Sequence, residues 1–303
     1  LRGAKYDLLI LNSFHDPQLV FPVLIWRKLG LIPRKPTILS PRGELAQGAL
    51  SLKHRKKWLY RRALRSAGLL REIWLHATAD HERCDIEALN IRSRGILNAP
   101  DMYLMPELPK GGLQYNSGRL RIAFLGRISP VKNLEFALDV LAQVSIPVAF
   151  EIFGPIVDPA YWKKLQVRIE RMPEHIAVTA HGTLPHHKVA DTLAAHDLFF
   201  LPSLGENFGH AINEALAAGL PALISNTTPW HGLQASGAGW DLPLAKPALF
   251  VAAIEGMASA DTERRRSMRY AARLMAEDNY LRNNVVEENK NMLEAVLKAE
   301  AVR

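Results

Sequence analysis

Short apolar runs alternate with longer amphipathic stretches along almost the whole chain. In the first third, "DLLILNS", "PTILS" and "EIWLHAT" are apolar runs of strand length, and "KKWLYRRALRSAGLLR" is long and polar enough for a surface helix. The rhythm restarts at "LRIAFLG", followed by a helix in "NLEFALDVLAQV", a strand in "VAFEIFG" and a helix in "AYWKKLQVRIERM". It continues through "IAVTAHG", "HHKVADTLAAH", "DLFFLPS", a helix beginning near His210, and the strand "PALISN". Leu134, Leu138 and Leu141 recur at helical spacing, which gives their helix one core-facing side. Strand and helix alternating in this way predict an α/β fold of doubly wound, Rossmann-like domains with parallel sheets.

Between the two rhythms, "LPKGGLQYNSGRL" at residues 108–120 carries paired glycines, a proline and polar residues, as a linker would. The expected division is a first domain over 1–117 and a second over 118–303, the second ending in charged helices from about Pro247. Leu1 leads almost directly into a strand, so the first domain is expected to be partial.

Composition narrows the function classes. At 303 residues and 48% hydrophobic the chain can bury two cores, and it has no apolar run approaching the roughly 20 residues that span a bilayer. A single cysteine, Cys84, excludes an internal disulfide framework and a thiolate-only metal cage, and points to the cytoplasm. A net charge of +8 favours anionic partners.

Candidate chemistry gathers at strand ends. In "FLGRISPVKN" a strand stops at Gly126 and the loop carries Arg127 and Lys132, a planar fork and a point charge suited to a diphosphate. In "SLGENFGHAINEALAAGLP" another strand runs through a small-residue loop into a helix whose first amides, near Phe208, Gly209 and His210, suit an anion. Glu206 lies in that loop, free to accept hydrogen bonds from hydroxyls. Glu214 lies at helical spacing from His210 and is expected to point out of the core. Taken singly these are solvated cations and helix-end carboxylates; taken together they describe a site for a nucleotide sugar.

"GRISPVKN", "EIFGP", "HGTL", the E-x7-E element "ENFGHAINE" with "ALAAGLP" behind it, and "TTPW" followed by "GAGW" resemble the carboxyl-terminal half of the retaining glycosyltransferases of family GT4, with the GT-B fold. "SPRGEL", "KHRKKWLYRRAL" and "LHATADHE" resemble the later part of that family's amino-terminal domain. The resemblance implies two Rossmann-like domains facing across a cleft. It also implies transfer of a sugar from a UDP- or GDP-sugar to a glycan or lipid-linked acceptor in polysaccharide or cell-surface glycan synthesis. Arg127 and Lys132 would neutralise the leaving diphosphate, Glu206 would hold the transferred sugar and Glu214 the ribose. Gly126, Asn207, Phe208 and Gly209 would touch phosphate or sugar, and Gly154, Thr183 and Leu184 would lie near the base. The family's opening strand and glycine-rich loop belong upstream of Leu1. The rival expectations are therefore a nucleotide-sugar-binding or membrane-docking protein without turnover, and a GT-B nucleotide-sugar epimerase.

No DxD motif is present and His186 and His187 are adjacent, so a metal-independent reaction without cofactor is expected. On the acceptor side, His15, Arg42 and His76 lie near probable strand ends, where a histidine could relay a proton and an arginine could hold a phosphate. Residues 53–65, "KHRKKWLYRRALR", interleave cations with Trp58, Leu59 and Tyr60 and contain no acid. With Leu59, Ala63, Ala67 and Leu70 on one helical face, this is the layout of a helix lying on an anionic membrane, peripheral to its inner face. No nucleic-acid motif accompanies it.

Overall fold

The computed structural model describes residues 3–46, 50, 54–103, 118–282 and 284–301. The chain divides into two compact units, Leu1–Tyr103 with Asn283–Arg303, and Leu104–Arg282.

The first unit is built on four parallel strands in the order β1 (Leu9–Asn12), β2 (Thr37–Ser40), β3 (Trp74–Ala77) and β4 (Gly95–Asn98). Helices α1 (Val20–Lys28), α2 (His54–Ser66) and α3 (Asp80–Ala88) connect them. Because successive strand residues face opposite sides, Leu39 and Leu75 join Val23, Leu24, Leu64 and Ile86 in one core, whereas Ile38 faces the other way. That second face is covered by α11 (Val285–Ala301), whose Met292 and Val296 pack on Ile38 and Ala99. Asn289 Nδ2 fastens the helix by donating to Pro100 O at 2.8 Å. The sequence left residues 283–303 in the second domain; the structure returns them to the first, whose sheet would otherwise expose an apolar face.

The basic helix α2 keeps part of its expected outward apolar face but is shorter than expected. Its core contact is Leu64, with Tyr60 half-buried, while Leu59, Ala63 and Ala67 are exposed. The helix stops at Ser66, so Ala67 and Leu70 do not extend its face, and Leu70 is buried separately. Lys53 and most of the expected linker fall outside the described residues.

The second unit holds six parallel strands in the order β10-β9-β8-β5-β6-β7: β5 (Leu120–Leu125), β6 (Val148–Phe153), β7 (Ile176–Gly182), β8 (Leu198–Leu201), β9 (Ala222–Ser225) and β10 (Gly239–Leu242). Helices α4 (Leu134–Leu141), α5 (Pro159–Ile169), α6 (His186–Ala194), α7 (His210–Ala217), α8 (Leu233–Ser236), α9 (Pro247–Ser259) and α10 (Thr262–Arg282) alternate with or follow them. Local signals explain the helix starts. Asp158 caps α5 by accepting from Tyr161 N at 3.0 Å, and Pro159 occupies its first turn. In α4, Leu134, Ala137, Leu138 and Leu141 are buried at i, i+3, i+4 and i+7. β8, inside the sheet between β5 and β9, buries all of Leu198, Phe199, Phe200 and Leu201, each contributing about 1.5–3 kcal/mol.

This topology locates a site. The chain adds β6 and β7 on one side of β5, then crosses to the other side to add β8, β9 and β10. Strand order therefore reverses between β5 and β8, and ligands of doubly wound sheets bind outside the carboxyl ends of the strands at such a switch point.

Candidate functional site

The carboxyl ends of β5 and β8 carry the two loops singled out in the sequence. After β5 a single 3-10 turn, Pro130–Lys132, ends at Asn133, whose left-handed φ of 55° turns the chain into α4. The β8 loop is bonded to this turn: Leu204 N donates to Val131 O at 2.8 Å, and Ser203 Oγ lies 3.0 Å from the same carbonyl. Thr227 Oγ1, after β9, donates to Ser203 O at 2.7 Å and holds the loop from the other side. With both backbones fixed, Lys132 Nζ meets Glu206 Oε1 at 2.6 Å, the side chains 15% and 10% exposed. Arg127, from the same β5 loop, is exposed and makes no ion pair among the described residues.

Gly126 and Gly154 meet directly. Gly154 has φ +143°, and a Cβ on it would stand 1.9 Å from Gly126 O. Its amide donates to Gly182 O at 2.7 Å, so the ends of β5, β6 and β7 abut as three glycines. Thr183 follows, exposed, and Leu184 is half-buried against the core. Gly209, at φ 83°, opens α7, and Trp230 Nε1 donates to Phe208 O at 2.7 Å, fixing the carbonyl just before the helix. Asn207 is half-buried in the same loop. The expected donor residues of this unit are thus gathered along adjacent strand ends and the start of α7.

Glu214 is half-buried: its side chain is 22% exposed, and Oε1 lies 3.7 Å from Nδ1 of the exposed His186 of α6. Burial pushes its carboxyl up, and His186 and His210 partly counter the rise. His186, noted in the sequence only as one of two adjacent histidines, is therefore the partner that sequence spacing missed. Trp230 was legible as a core residue, and is buried, whereas Thr227 was legible only as a member of the "TTPW" motif. Among the described residues, no group of three or more His, Cys, Asp or Glu is placed to hold a metal ion.

The first unit has its own polar cluster at the carboxyl ends of β1 to β4. Glu44 accepts from Ser13 Oγ at 2.6 Å and from the amides of Phe14 and His15 at 2.8 and 2.7 Å, and His15 Nδ1 lies 3.3 Å from it. Arg42 is left-handed at φ 55°; it donates to Asn12 Oδ1 at 3.2 Å and pairs with Asp101. His76 is buried, with Nδ1 2.9 Å from Ser40 Oγ and Nε2 2.8 Å from Ala99 O, and burial lowers its pKa. Both its ring nitrogens are therefore used within the sheet. Glu82, buried in α3, accepts from Thr78 and from Gly43 N and ties the loops after β2 and β3 together. Glu44 and Glu82 had no sequence signal beyond lying in "SPRGEL" and "ADHE".

Glu44 gives a pH prediction. Burial alone would raise its carboxyl, but hydrogen bonds from His15, Ser13 and the amides of His15 and Phe14 bring it from 4.5 down to about 2. A depressed carboxyl stabilises the fold above its unfolded pKa, and that contribution fades as pH falls toward the folded value. Discounted for partial exposure, Glu44→Gln is expected to cost about 2 kcal/mol near pH 7, with less than half of that gap remaining at about pH 3. Urea unfolding of both proteins at the two pH values measures it; a gap that is independent of pH would refute it.

Residues 110–275 match the family described as "Glycosyl transferases group 1". The chain is 28% identical over 169 residues to the D-inositol 3-phosphate glycosyltransferase of Jonesia denitrificans, covering 52% of this chain and 38% of that protein. It is 29% identical over 114 residues to the GDP-mannose-dependent alpha-(1-6)-phosphatidylinositol dimannoside mannosyltransferase of Mycobacterium tuberculosis, 36% of this chain and 28% of that one. The matched stretch is thus less than half the length of either relative. Among solved structures, Anabaena Alr3699/HepE in complex with UDP-glucose aligns with TM-score 0.72 over 96% of this chain and 78% of its own, at 17% identity, a likeness of fold.

Proposed function

The chain belongs to the group 1 glycosyl transferases and has the GT-B fold, and from that premise we propose that it moves a sugar from a nucleotide-sugar donor to a glycan or lipid-linked acceptor. The observation that carries the reading is the Lys132–Glu206 contact at 2.6 Å, held by bonded loops where strand order reverses. A cation for phosphate and a carboxylate for hydroxyls stand side by side there, as a sugar diphosphate requires.

In the proposed reaction the bond between the anomeric carbon and the leaving phosphate oxygen breaks, and negative charge grows on the diphosphate. Lys132 and Arg127 stabilise that charge, with the first amides of α7, where preorganised donors act most strongly. Glu206 accepts hydrogen bonds from the transferred sugar. Glu214, adjusted by His186, accepts from the ribose hydroxyls. The acceptor oxygen bonds the anomeric carbon on the face the phosphate leaves, and its proton passes to a leaving phosphate oxygen, so configuration is retained. The charge stabilisation comes from side chains and amides, which supports a reaction independent of metal and cofactor. The donor nucleoside is uridine or guanosine. Release of nucleoside diphosphate from UDP- and GDP-sugars in the presence of a polyprenyl-phosphate-linked saccharide, in EDTA, tests the reading. The α-anomeric product of an α-linked donor is expected; inverted product, or a strict metal requirement, would overturn the proposed mechanism.

The reaction is proposed to run in the cytoplasm against the inner face of the membrane, with α2 as the contact. The support is its outer surface: Trp58 is 45% and Leu59 59% exposed, among Arg55, Lys56, Arg62 and Arg65, all exposed. The guanidinium of Arg62 lies 5.4 Å from the Trp58 ring. At about 1 kcal/mol per basic residue near an anionic surface, neutralising Arg55, Lys56 and Arg62 to Gln is expected to weaken binding to phosphatidylglycerol vesicles roughly 100-fold. Equal sedimentation of both proteins would contradict it.

A further inference from the structure

The cation that the donor reading assigns to the diphosphate is already committed to the carboxylate assigned to the sugar. Lys132 Nζ and Glu206 Oε1 are 2.6 Å apart, and Lys132 is the only ion-pair partner Glu206 has among the described residues. Their backbones are locked by the Leu204 N to Val131 O bond at 2.8 Å, so the contact is not two long side chains meeting by chance on a surface. At 10% exposure, Glu206 can draw little on water if Lys132 is taken from it.

A nucleoside diphosphate and its sugar conjugate therefore face different costs here. Each phosphate competes with Glu206 for Lys132. The sugar conjugate compensates the carboxylate by bringing hydroxyl donors to it, whereas the bare diphosphate leaves it beside an anion with its cation withdrawn. We propose that the Lys132–Glu206 contact is a selectivity device, which favours the intact donor over the nucleoside diphosphate left after transfer and so speeds product release. This rests on the donor reading of the same loops. Glu206 acquires a second role, opposing retention of the product as well as holding the sugar.

The experiment is calorimetric titration of the full chain with UDP, GDP, UDP-glucose and GDP-mannose, for the wild type, Glu206→Gln and Glu206→Asp. Glu206→Gln removes the charge that competes for Lys132 and is expected to bind the preferred diphosphate about tenfold tighter than the wild type, while binding its sugar conjugate about tenfold weaker. Glu206→Asp keeps the charge and is expected to leave diphosphate affinity within about threefold of the wild type. If Glu206→Gln weakens both ligands, leaves the diphosphate unchanged, or tightens both equally, the selectivity role is overturned while the donor site stands. If the wild type binds none of the four, the donor reading falls and takes this inference with it. Melting curves for each variant separate these results from loss of fold, and Glu206→Asp provides a charged comparison should Glu206→Gln prove unstable.

Discussion

Lys132→Ala is expected to lower the rate of sugar transfer about 10²- to 10³-fold, the loss typical of removing one preorganised group that stabilises charge developing in a transition state. Glu206→Ala is expected to lose a similar factor by releasing its hold on the sugar hydroxyls. The two effects should not add, because the residues touch at 2.6 Å and act as one unit. Release of nucleoside diphosphate reads the rate, and far-ultraviolet circular dichroism during heating checks that the fold survives. Turnover within about threefold of wild type in both variants would sink the assignment of this site.

Gly154→Ala is expected to destabilise the second unit by roughly 4 kcal/mol, combining backbone strain with overpacking. The reason is geometric. At φ +143° an L side chain is strained whatever the space, and the new Cβ would sit 1.9 Å from Gly126 O and 2.7 Å from Gly126 C, both backbone atoms that cannot swing away. Relief would require separating the ends of β5 and β6, which also present Gly126 and the loop bearing Lys132. Gly239 supplies a control: a Cβ there would stand 1.9 Å from Ala222 O, beside β9 and remote in sequence from the donor loops. Urea unfolding should show both variants destabilised, with a shift below about 1 kcal/mol for Gly154→Ala contradicting the close approach.

The parts of the fold that sequence reveals are those where local pattern and tertiary role coincide. "LRIAFLG", "DLFFLPS" and "PALISN" are dominated by apolar residues, with Arg121 the one charged residue inside β5, because β5, β8 and β9 lie inside a sheet covered on both faces. β4 and β10 went unread: "GILN" and "GWDL" are edge strands of four residues, too short for alternation to register. The helical pattern of α11 is visible, but nothing in an amphipathic stripe names the sheet it covers, and its partners Ile38 and Ala99 lie in the other half of the sequence. The apolar face read on α2 does point outward at Leu59 and Ala63, while Leu64 is the position the core accepts; what periodicity did not signal is that the helix ends at Ser66, short of Leu70.

The candidate site divides in the same way. Arg127, Lys132, Glu206 and Glu214 could be named because charged residues next to apolar strands and glycine turns are conspicuous. Their relations could not. Lys132 and Glu206 are 74 positions apart and meet because Ser203 and Leu204 bond to Val131. His186 reaches Glu214 only because α6 and α7 pack side by side. In the first unit, His76 had the strand-end position of a proton relay, but both its nitrogens are engaged by Ser40 and Ala99. Glu44 draws Ser13, Phe14 and His15 together from about 30 positions away, a contact no local pattern encodes.

The most direct test of the central claim is calorimetric titration, with a parallel thermal melt, of the full chain against UDP, GDP, ADP and their common sugar conjugates. The account predicts that one nucleotide series binds, stabilises the fold by about 2.7 kcal/mol at a hundredfold excess over its Kd, and loses most of that stabilisation in Lys132→Ala. A protein that melts cooperatively and yet takes up none of these ligands, or binds them undiminished in Lys132→Ala, would contradict it.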